Sequence, residues 1–178
     1  MTTMIPLTEK RPQFRLIRVD DARFMFRPNF SGESSKYNNA GDRNFNVRIT
    51  DPDLLERMEQ EPWNLKYTKV TEDYPEPEAY LKVKVDFNPP MDRLIPHIYV
   101  VNNGQVVSEL TEEDVHMLDE NRIAMMKMVI RPSVYADDRY DNCWKISAYL
   151  KTLYVEFADD EDDEWADEYD LAAFKNRV

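Results

Sequence analysis

The sequence predicts a mainly β protein, an antiparallel barrel with two short helices and an acidic carboxyl-terminal tail. The clearest evidence is the alternation of apolar and polar residues over residues 79–87 and again over 144–151, which is the pattern of strands that bury one face. Asn102-Asn103-Gly104, between two apolar runs, is a β-hairpin signal. No regular alternation of strands with long helices, internal repeat or heptad pattern occurs, which argues against a parallel α/β sheet and a coiled coil.

The length and composition fit one domain with a tail. The 178 residues are 42% hydrophobic, enough for a core of ordinary size. We divide them into a flexible lead-in (residues 1–13), a β-barrel domain (14–157) and the tail (158–178). The chain has no run of eighteen apolar residues and no secretion-signal pattern, and a single cysteine, Cys143, excludes an internal disulfide. We therefore expect a soluble protein of a reducing cytoplasm.

Charge is unevenly distributed along the chain. The net charge is −12, and residues 156–178 hold ten acidic and two basic residues, a balance of −8 that leaves −4 for the rest. Residues 1–50 hold nine basic and five acidic residues, a balance of +4. The total charge alone argues against a nucleic-acid partner, but this segregation leaves room for a cationic surface on the folded domain.

The first half of the chain predicts strands, one long loop and one helix. Strands are expected at residues 14–19, 44–49 and 63–70. Residues 22–27, where Phe24 and Phe26 share a face, form a further strand or continue the first one across a bend. Thr50-Asp51-Pro52-Asp53 has the proline and acidic residues of a helix start, and Pro62 ends that helix.

The loop at residues 29–44 is long and polar, and it contains two of the three glycines. It also carries Phe30, Lys36, Tyr37 and Arg43, the residue types expected of a flexible flap that closes on a polyanion. A surface excursion without a role is the alternative, and the residues do not decide between the two.

The second half of the chain predicts strands around a hairpin and one short helix. Strands are expected at 79–87, 94–101, 105–110, 123–131 and 144–157, with a helix that opens at Thr111 and runs through Leu118. The apolar phase of the last strand changes along its length, which predicts a β-bulge near Lys151 or Thr152. The total is seven or eight strands and two short helices, and an antiparallel OB-like barrel is the architecture that fits best.

Two strands present lysine and tyrosine on the face opposite their apolar residues. This combination suits single-stranded nucleic acid, because ammonium groups meet phosphates and flat rings stack on bases of any identity. Ordinary solvation of an exposed strand face is the alternative. The candidate phosphate contacts are Lys82, Lys84, Lys145 and Lys151, flanked by Arg43, Lys36, Lys66 and Lys69. The candidate stacking residues are Tyr80, Tyr149, Tyr67, Tyr37 and Trp63, of which Trp63 fits the core equally well.

The residues do not form an enzyme site. The two histidines, His97 and His116, have no cysteine at a zinc-ligand spacing, and three glycines placed as they are cannot make a phosphate-binding loop. The acids of 159–164 lack the glycine and the alternating spacing of a calcium loop. We therefore predict a protein that is not an enzyme and holds no cofactor or metal.

The acidic tail contains too many carboxylates and too little apolar surface to fold by itself, so we expect it to be disordered in the free protein. Its candidate partner-binding residues are Asp159, Asp160, Glu161, Asp162, Asp163, Glu164, Trp165 and Phe174. Trp165, Tyr169 and Ala172 have the spacing of an amphipathic helix that forms on a partner. Occupation of the cationic groove and a simple solubility role are the two alternatives.

Four segments resemble phage-encoded single-stranded DNA-binding proteins of the OB-fold type with an acidic carboxyl-terminal tail. They are NFSGESSKYNNAGDRNFNVRI (29–49), EPWNLKY (61–67), AYLKVKVDF (79–87) and KISAYLKTLYVEF (145–157). The resemblance implies sequence-independent coating of exposed DNA strands during phage replication or recombination in the bacterial host cytoplasm. It also implies a tail that recruits replication or recombination proteins, and an oligomer is possible. In this chain, however, Leu171 to Val178 follow the acids, where the resemblance implies a terminal aromatic residue.

Two other functions fit parts of the sequence. An acidic mimic of DNA, which inhibits a host nuclease or defence enzyme, would account for the net charge of −12. A protein–protein adaptor for a recombinase or replisome would bind no oligonucleotide at any salt concentration. The residues alone leave oligomeric state, DNA or RNA preference and the protein partner open.

Overall fold

The computed structural model describes residues 4–36 and 38–158. This part of the chain contains ten strands, two α-helices and one 3-10 helix. The strands are β1 (Ile5–Pro6), β2 (Ile17–Val19), β3 (Phe24–Asn29), β4 (Arg43–Arg48), β5 (Leu65–Tyr67), β6 (Ala79–Val85), β7 (His97–Asn102), β8 (Gln105–Leu110), β9 (Ile123–Asp137) and β10 (Cys143–Phe157). The helices are α1 (Pro52–Gln60), α2 (Met117–Glu120) and the 3-10 helix Asp92–Leu94.

The mainly β class and the number of short helices are confirmed, although α2 begins at Met117 and not at Thr111 as predicted. The prediction of a purely antiparallel sheet is wrong. The strand order is β2-β9-β10-β6-β4-β3. β10 pairs antiparallel with β9 along almost its whole length, and its other edge pairs in parallel with β6 and then with β7. A strand can pair in parallel only with one distant in the chain, and the alternation pattern does not reveal such partners.

The sheet is mixed and, over the described residues, it is not closed into a barrel. No ladder there joins β2 to β3, the two ends of the strand order. The prediction of seven or eight strands was too low because β1 is not among the predicted strands and because residues 14–19 and 22–27 contain two separate strands, β2 and β3. A strand of two residues, such as β1, leaves little alternation to detect.

The predicted β-bulge near Lys151 is confirmed. The register with β9 shifts between Leu150 and Thr152, so one extra residue lies on β10. Before the bulge the outward residues include Tyr149, and after it they include Thr152 and Tyr154, while Leu150 and Leu153 are buried. The bulge therefore lets one long strand keep a single face toward the core.

One hydrophobic core lies on the inner face of the sheet. In β6 the core residues are Leu81, Val83 and Val85, as the alternation predicts, and each such side chain contributes about 1.5–3 kcal/mol through burial. The helix α1 begins where predicted, since the Asp51 side chain accepts a hydrogen bond from the Asp53 N–H and Pro52 opens the first turn. The side chain of Met58 in this helix is buried in the core.

The two predicted end segments differ in what the structure describes. Residues Ile5 and Pro6 of the lead-in pair with Trp144 and Cys143 of β10, so the lead-in is attached to the sheet at that point. Apart from Ala158, the predicted tail lies outside the described residues.

None of the described helices has the length and apolar character that a membrane crossing requires.

Candidate nucleic-acid interface

A groove of about 640 Å³ runs over the outer face of β4, β6 and β10, beside the loop that precedes β4. Lys82, Lys84 and Tyr149 form its floor because they occupy the outward positions of strands whose other face is buried. The remaining lining residues are Ser35, Lys36, Asn38, Asn39, Gly41, Asp42, Arg43, Asn44, Val85 and Asp86. The structure thus brings the predicted pair Lys82 and Lys84 together with Tyr149, Lys36 and Arg43.

Two cations flank Tyr149 on the floor of the groove. Lys84 and Arg131 are both register partners of Tyr149, on the strands at either edge of β10. The Lys84 ammonium lies 5.6 Å from the centre of the Tyr149 ring and the Arg131 guanidinium lies 4.9 Å from it. The ring's negative face attracts both cations, and it holds them close together without a carboxylate. We call Lys84, Tyr149 and Arg131 the cation–tyrosine row.

The two lysines of the groove floor remain available to a ligand. Lys82 and Lys84 are exposed, and neither makes an ion pair with a carboxylate in residues 4–36 or 38–158. The Nε atom of Arg131 is buried and lacks a hydrogen-bond partner among the described groups. Two acids, Asp42 and Asp86, line the same groove. Phosphate groups would find two lysines without ion-pair partners in the groove, together with two acids.

The loop at residues 29–44 forms one wall of the groove and is fixed by hydrogen bonds. At its start, the Asp119 carboxylate accepts bonds from the backbone N–H groups of Phe30 and Ser31 at 2.8–3.0 Å. At its end, Asn44 donates to the Asn38 side chain at 2.8 Å. Asn38 in turn donates to three backbone carbonyls of the loop. The predicted flap is therefore an organised wall in this structure, and its mobility stays a prediction.

The two loop glycines are required where the chain folds back on itself. Gly32 and Gly41 have φ angles of 77° and 90°, a region that favours glycine. The Gly41 N–H donates to the Gly32 carbonyl at 2.8 Å, and a Cβ at Gly32 would lie 3.3 Å from the Gly41 Cα. The tight turn of the groove wall depends on this pair.

Two predicted phosphate contacts are instead bound by the protein's own groups. Lys145 contacts the carboxylates of Asp137 and Asp141 at 2.7 and 2.6 Å, and hydrogen bonds to these two groups raise the pKa of Lys145. Arg43 donates to the Phe30 carbonyl at 2.9 Å and to Glu112 at 3.0 Å. We therefore assign Arg43 to the framework of the groove and Lys145 to that of the hairpin between β9 and β10.

Two predicted stacking residues lie elsewhere. Trp63 is only 3% exposed and belongs to the core, where its indole N–H donates to Glu61. Tyr67 shares the parity of Leu65 and therefore the inner side of β5, and its hydroxyl donates to Glu59 of α1 at 2.7 Å. This hydrogen bond raises the pKa of Tyr67 to about 12. The sequence pattern could not fix the phase of so short a strand.

The remaining candidates are placed around the groove or outside the described residues. Lys66 pairs in register with Tyr80 on the outer face of β5 and β6, Lys69 is exposed after β5, and Lys151 is exposed at the bulge, away from the groove lining. Tyr37 lies in the undescribed position between residues 36 and 38. The tail candidates from Asp159 to Phe174 also lie outside the described residues.

Sequence reasoning missed Arg131 and Phe26. Arg131 follows a run of methionines and isoleucines that predicts a buried strand, so its outward side was not recognised. Phe26 was expected to share a face with Phe24, but its φ of 68° breaks the alternation. Phe24 packs against the core rings Phe30 and Phe45, while Phe26 projects outward onto Tyr80. The one available signal was the lysine and tyrosine on the outward faces of both β6 and β10, because Arg131 lies on β9, which pairs with β10.

The two histidines each lie beside a glutamate on the surface. His97 Nδ1 is 3.0 Å from Glu109 and His116 Nε2 is 3.6 Å from Glu120. The described part of the chain contains no group of three or more His, Cys, Asp or Glu side chains that could hold a metal ion. The lack of enzymatic activity stays a prediction.

Comparisons with known proteins give one matching family model and several structures of similar fold. A family model described as "Putative phage ssDNA-binding domain" matches residues 7–173. Among solved structures, the single-stranded DNA-binding protein from bacteriophage Enc34 in complex with ssDNA has 10% identity and a TM-score of 0.51, and the match covers 88% of this chain and 96% of that chain.

Two further Enc34 structures match with 10% identity and a TM-score of 0.49. For the C-terminal truncation the match covers 81% of this chain and 87% of that chain, and for the protein without truncation it covers 88% and 91%. A search of curated proteins gave no match. Because the family model covers most of its length, this chain belongs to the phage single-stranded DNA-binding domain family.

Proposed function

We propose that this protein binds single-stranded DNA along the groove, without sequence preference, and coats exposed strands during phage DNA replication or recombination. The observation that carries the proposal is the cation–tyrosine row beside Lys82. Lys82 and Lys84 lie on the groove floor without carboxylate partners among the described residues, and Arg131 adds a third such cation on the neighbouring strand β9, against the Tyr149 ring. Such a row would bind the sugar–phosphate backbone of DNA, which is the same for every sequence, so binding would have no sequence preference. The family of the chain supports the same substrate.

The finer parts of the proposal concern architecture and partners. An OB-related sheet is supported by the bulged strand β10, which pairs with β6 in one half and with β7 in the other. We further propose that the protein is not an enzyme, that it acts in the cytoplasm of the bacterial host, and that its acidic tail recruits replication or recombination proteins. The tail's charge and the aromatic residues that follow it support the last point.

The test is the salt dependence of oligonucleotide binding. Fluorescence anisotropy with a labelled oligothymidine, at several salt concentrations, is compared for the wild type and for Lys82→Ala/Lys84→Ala. If each lysine meets one phosphate, the slope of log K against log salt falls by about 0.7 per lysine, about 1.4 in total. The matched control, Lys10→Ala/Arg139→Ala, removes the same charge at exposed positions outside the groove lining and should keep the wild-type slope.

The same experiment separates the rival functions. Equal slopes for the two double variants would show that the DNA does not use this groove. A DNA mimic or a pure adaptor would bind no oligonucleotide at any salt concentration, even as the wild type. Unlabelled duplex DNA as competitor completes the test, because a single-strand binder releases the probe only at much higher duplex concentrations.

A further inference from the structure

Phe26 is a large apolar side chain that the fold holds in solvent. Its side chain is 61% exposed, although the residue before it, Met25, is buried at 4% exposure. Its φ of 68° lies in the left-handed region, which a bulky residue adopts only at a cost in free energy. Exposure and backbone strain together are unusual for a residue whose only role is packing.

The strain follows from the way β3 pairs with β4. Met25 pairs with Asn46 and Asn29 pairs with Asn44, so three residues of β3 span one residue of β4. The chain bulges outward there, and the left-handed residue turns the Phe26 ring onto the outer face of the sheet. Glycine would relieve the strain at this position, but it would leave no ring there.

The Phe26 ring meets Tyr80 edge to face. The two ring centres are 5.3 Å apart and the interplanar angle is 89°. In this geometry the edge of one ring covers a face of the other, and the remaining surface of the pair stays open. Tyr80 lies on β6 two residues before Lys82, on the same outward face, so the pair continues the groove floor.

Basic side chains lie on both sides of this pair. Arg48 of β4 and Lys66 of β5 are the register partners of Tyr80. Arg48 forms an ion pair with Glu78 at 3.4 Å. Lys66 is exposed and makes no ion pair within the described parts of the chain. A nucleotide base on the rings would therefore place its phosphate near a cation.

We propose that Phe26 and Tyr80 form a base-stacking platform that extends the groove beyond the cation–tyrosine row. The proposal rests on the proposed function, since it names the groups that would contact the bases of the same strand. From Tyr80 to Lys84 the strand rises about 13 Å. The two sites therefore bind different parts of one strand: the cation–tyrosine row binds phosphates, and the platform stacks on a base.

The test changes the ring without changing the backbone strain. Phe26→Leu keeps a Cβ and an apolar side chain, so the backbone strain stays, but it removes the aromatic face. Phe26→Tyr keeps the ring. We expect Phe26→Leu to weaken oligothymidine binding about 5- to 150-fold, with an unchanged salt slope because no phosphate contact is lost. Phe26→Tyr should bind within about twofold of the wild type, since the stacking face is kept. Tyr140→Leu, which removes a 79% exposed ring outside the groove, is the matched control and should bind as the wild type does.

A direct readout makes the test independent of affinity. In Phe26→Trp the added indole should be quenched on binding oligothymidine, beyond the change that Trp63, Trp144 and Trp165 give in the wild type. The platform is refuted if Phe26→Leu binds as tightly as the wild type, or if Phe26→Tyr loses as much affinity as Phe26→Leu. If the wild type itself fails to bind, the proposed function fails. If the Phe26→Leu protein binds oligothymidine as tightly as the wild type while the Lys82→Ala/Lys84→Ala protein has a smaller salt slope, only the platform is refuted.

Discussion

Asp119 links the short helix α2 to the wall of the groove, and its removal should destabilise both. Its carboxylate accepts the backbone N–H of Phe30 at 2.8 and 3.0 Å and that of Ser31 at 2.8 Å. Phe30 is fully buried, so water cannot easily replace the lost acceptor. Asp119→Ala therefore leaves at least one buried N–H group without a partner.

The magnitude follows from the number and the burial of these bonds. Hydrogen bonds to charged groups contribute about 1.5–3 kcal/mol each, so two donors set a ceiling of about 3–6 kcal/mol. The Ser31 N–H lies nearer to solvent and recovers part of its bond from water. We expect Asp119→Ala to lower the free energy of unfolding by about 2–4 kcal/mol, which for a domain of this size lowers the melting temperature by about 4–16 °C.

Urea unfolding and oligothymidine binding measure the two consequences. The midpoint in urea should fall while the m-value stays constant, and binding should weaken with an unchanged salt slope, because the wall shifts but no cation is removed. Asp114→Ala is the matched control, since its carboxylate accepts only a 3.4 Å bond from Thr111, and it should stay within about 0.5 kcal/mol. An Asp119→Ala protein as stable as the Asp114→Ala protein would refute the anchoring role.

Two other predictions concern the tail and the acid stability of the sheet. Truncation after Ala158 removes nine acids and two bases, and we expect tighter oligothymidine binding, with the largest gain at low salt, where the attraction between the competing tail and the groove is screened least; unchanged binding would show that the tail does not compete for the groove. The hydrogen bond from Lys145 lowers the pKa of Asp137 below 3.8, so its stabilising effect is present above that pH and is lost as the pH falls through the lower, folded-state pKa. The difference in urea midpoint between wild type and Asp137→Asn should therefore shrink below about pH 4, and a difference that is constant down to pH 2 would contradict the pairing.

The elements that could be predicted from the sequence are those with one buried face. Along β6 and β10 the burial of every second residue determines the alternation, and the phase change at Lys151 gives the bulge. The helix α1 could be predicted because its capping residues are adjacent in the chain. In each case the physical cause acts over a few neighbouring residues.

The features that could not be predicted depend on contacts between distant residues or on one backbone angle. The parallel pairing of Tyr149 with Lys84 joins strands that are far apart in the sequence, and it decides that both lie in one groove. The neutralisation of Lys145 requires Asp137, across the hairpin from β9 to β10. Phe26 was misplaced because a single left-handed residue reverses the side on which its ring lies.

Two groups of cations on the sheet differ in what holds them, and the difference explains how a chain of net charge −12 can bind a polyanion. Lys145, Arg43 and Arg48 each contact a carboxylate of the sheet or its loops, so they add little field outside the protein. Lys84 and Arg131 are instead held against a neutral ring. Charges farther away than about 8 Å are largely screened at physiological salt, so the local charge of the groove, and not the net charge, determines what a phosphate meets there. A ring that holds cations concentrates positive charge without the cancelling anion that an ion pair brings.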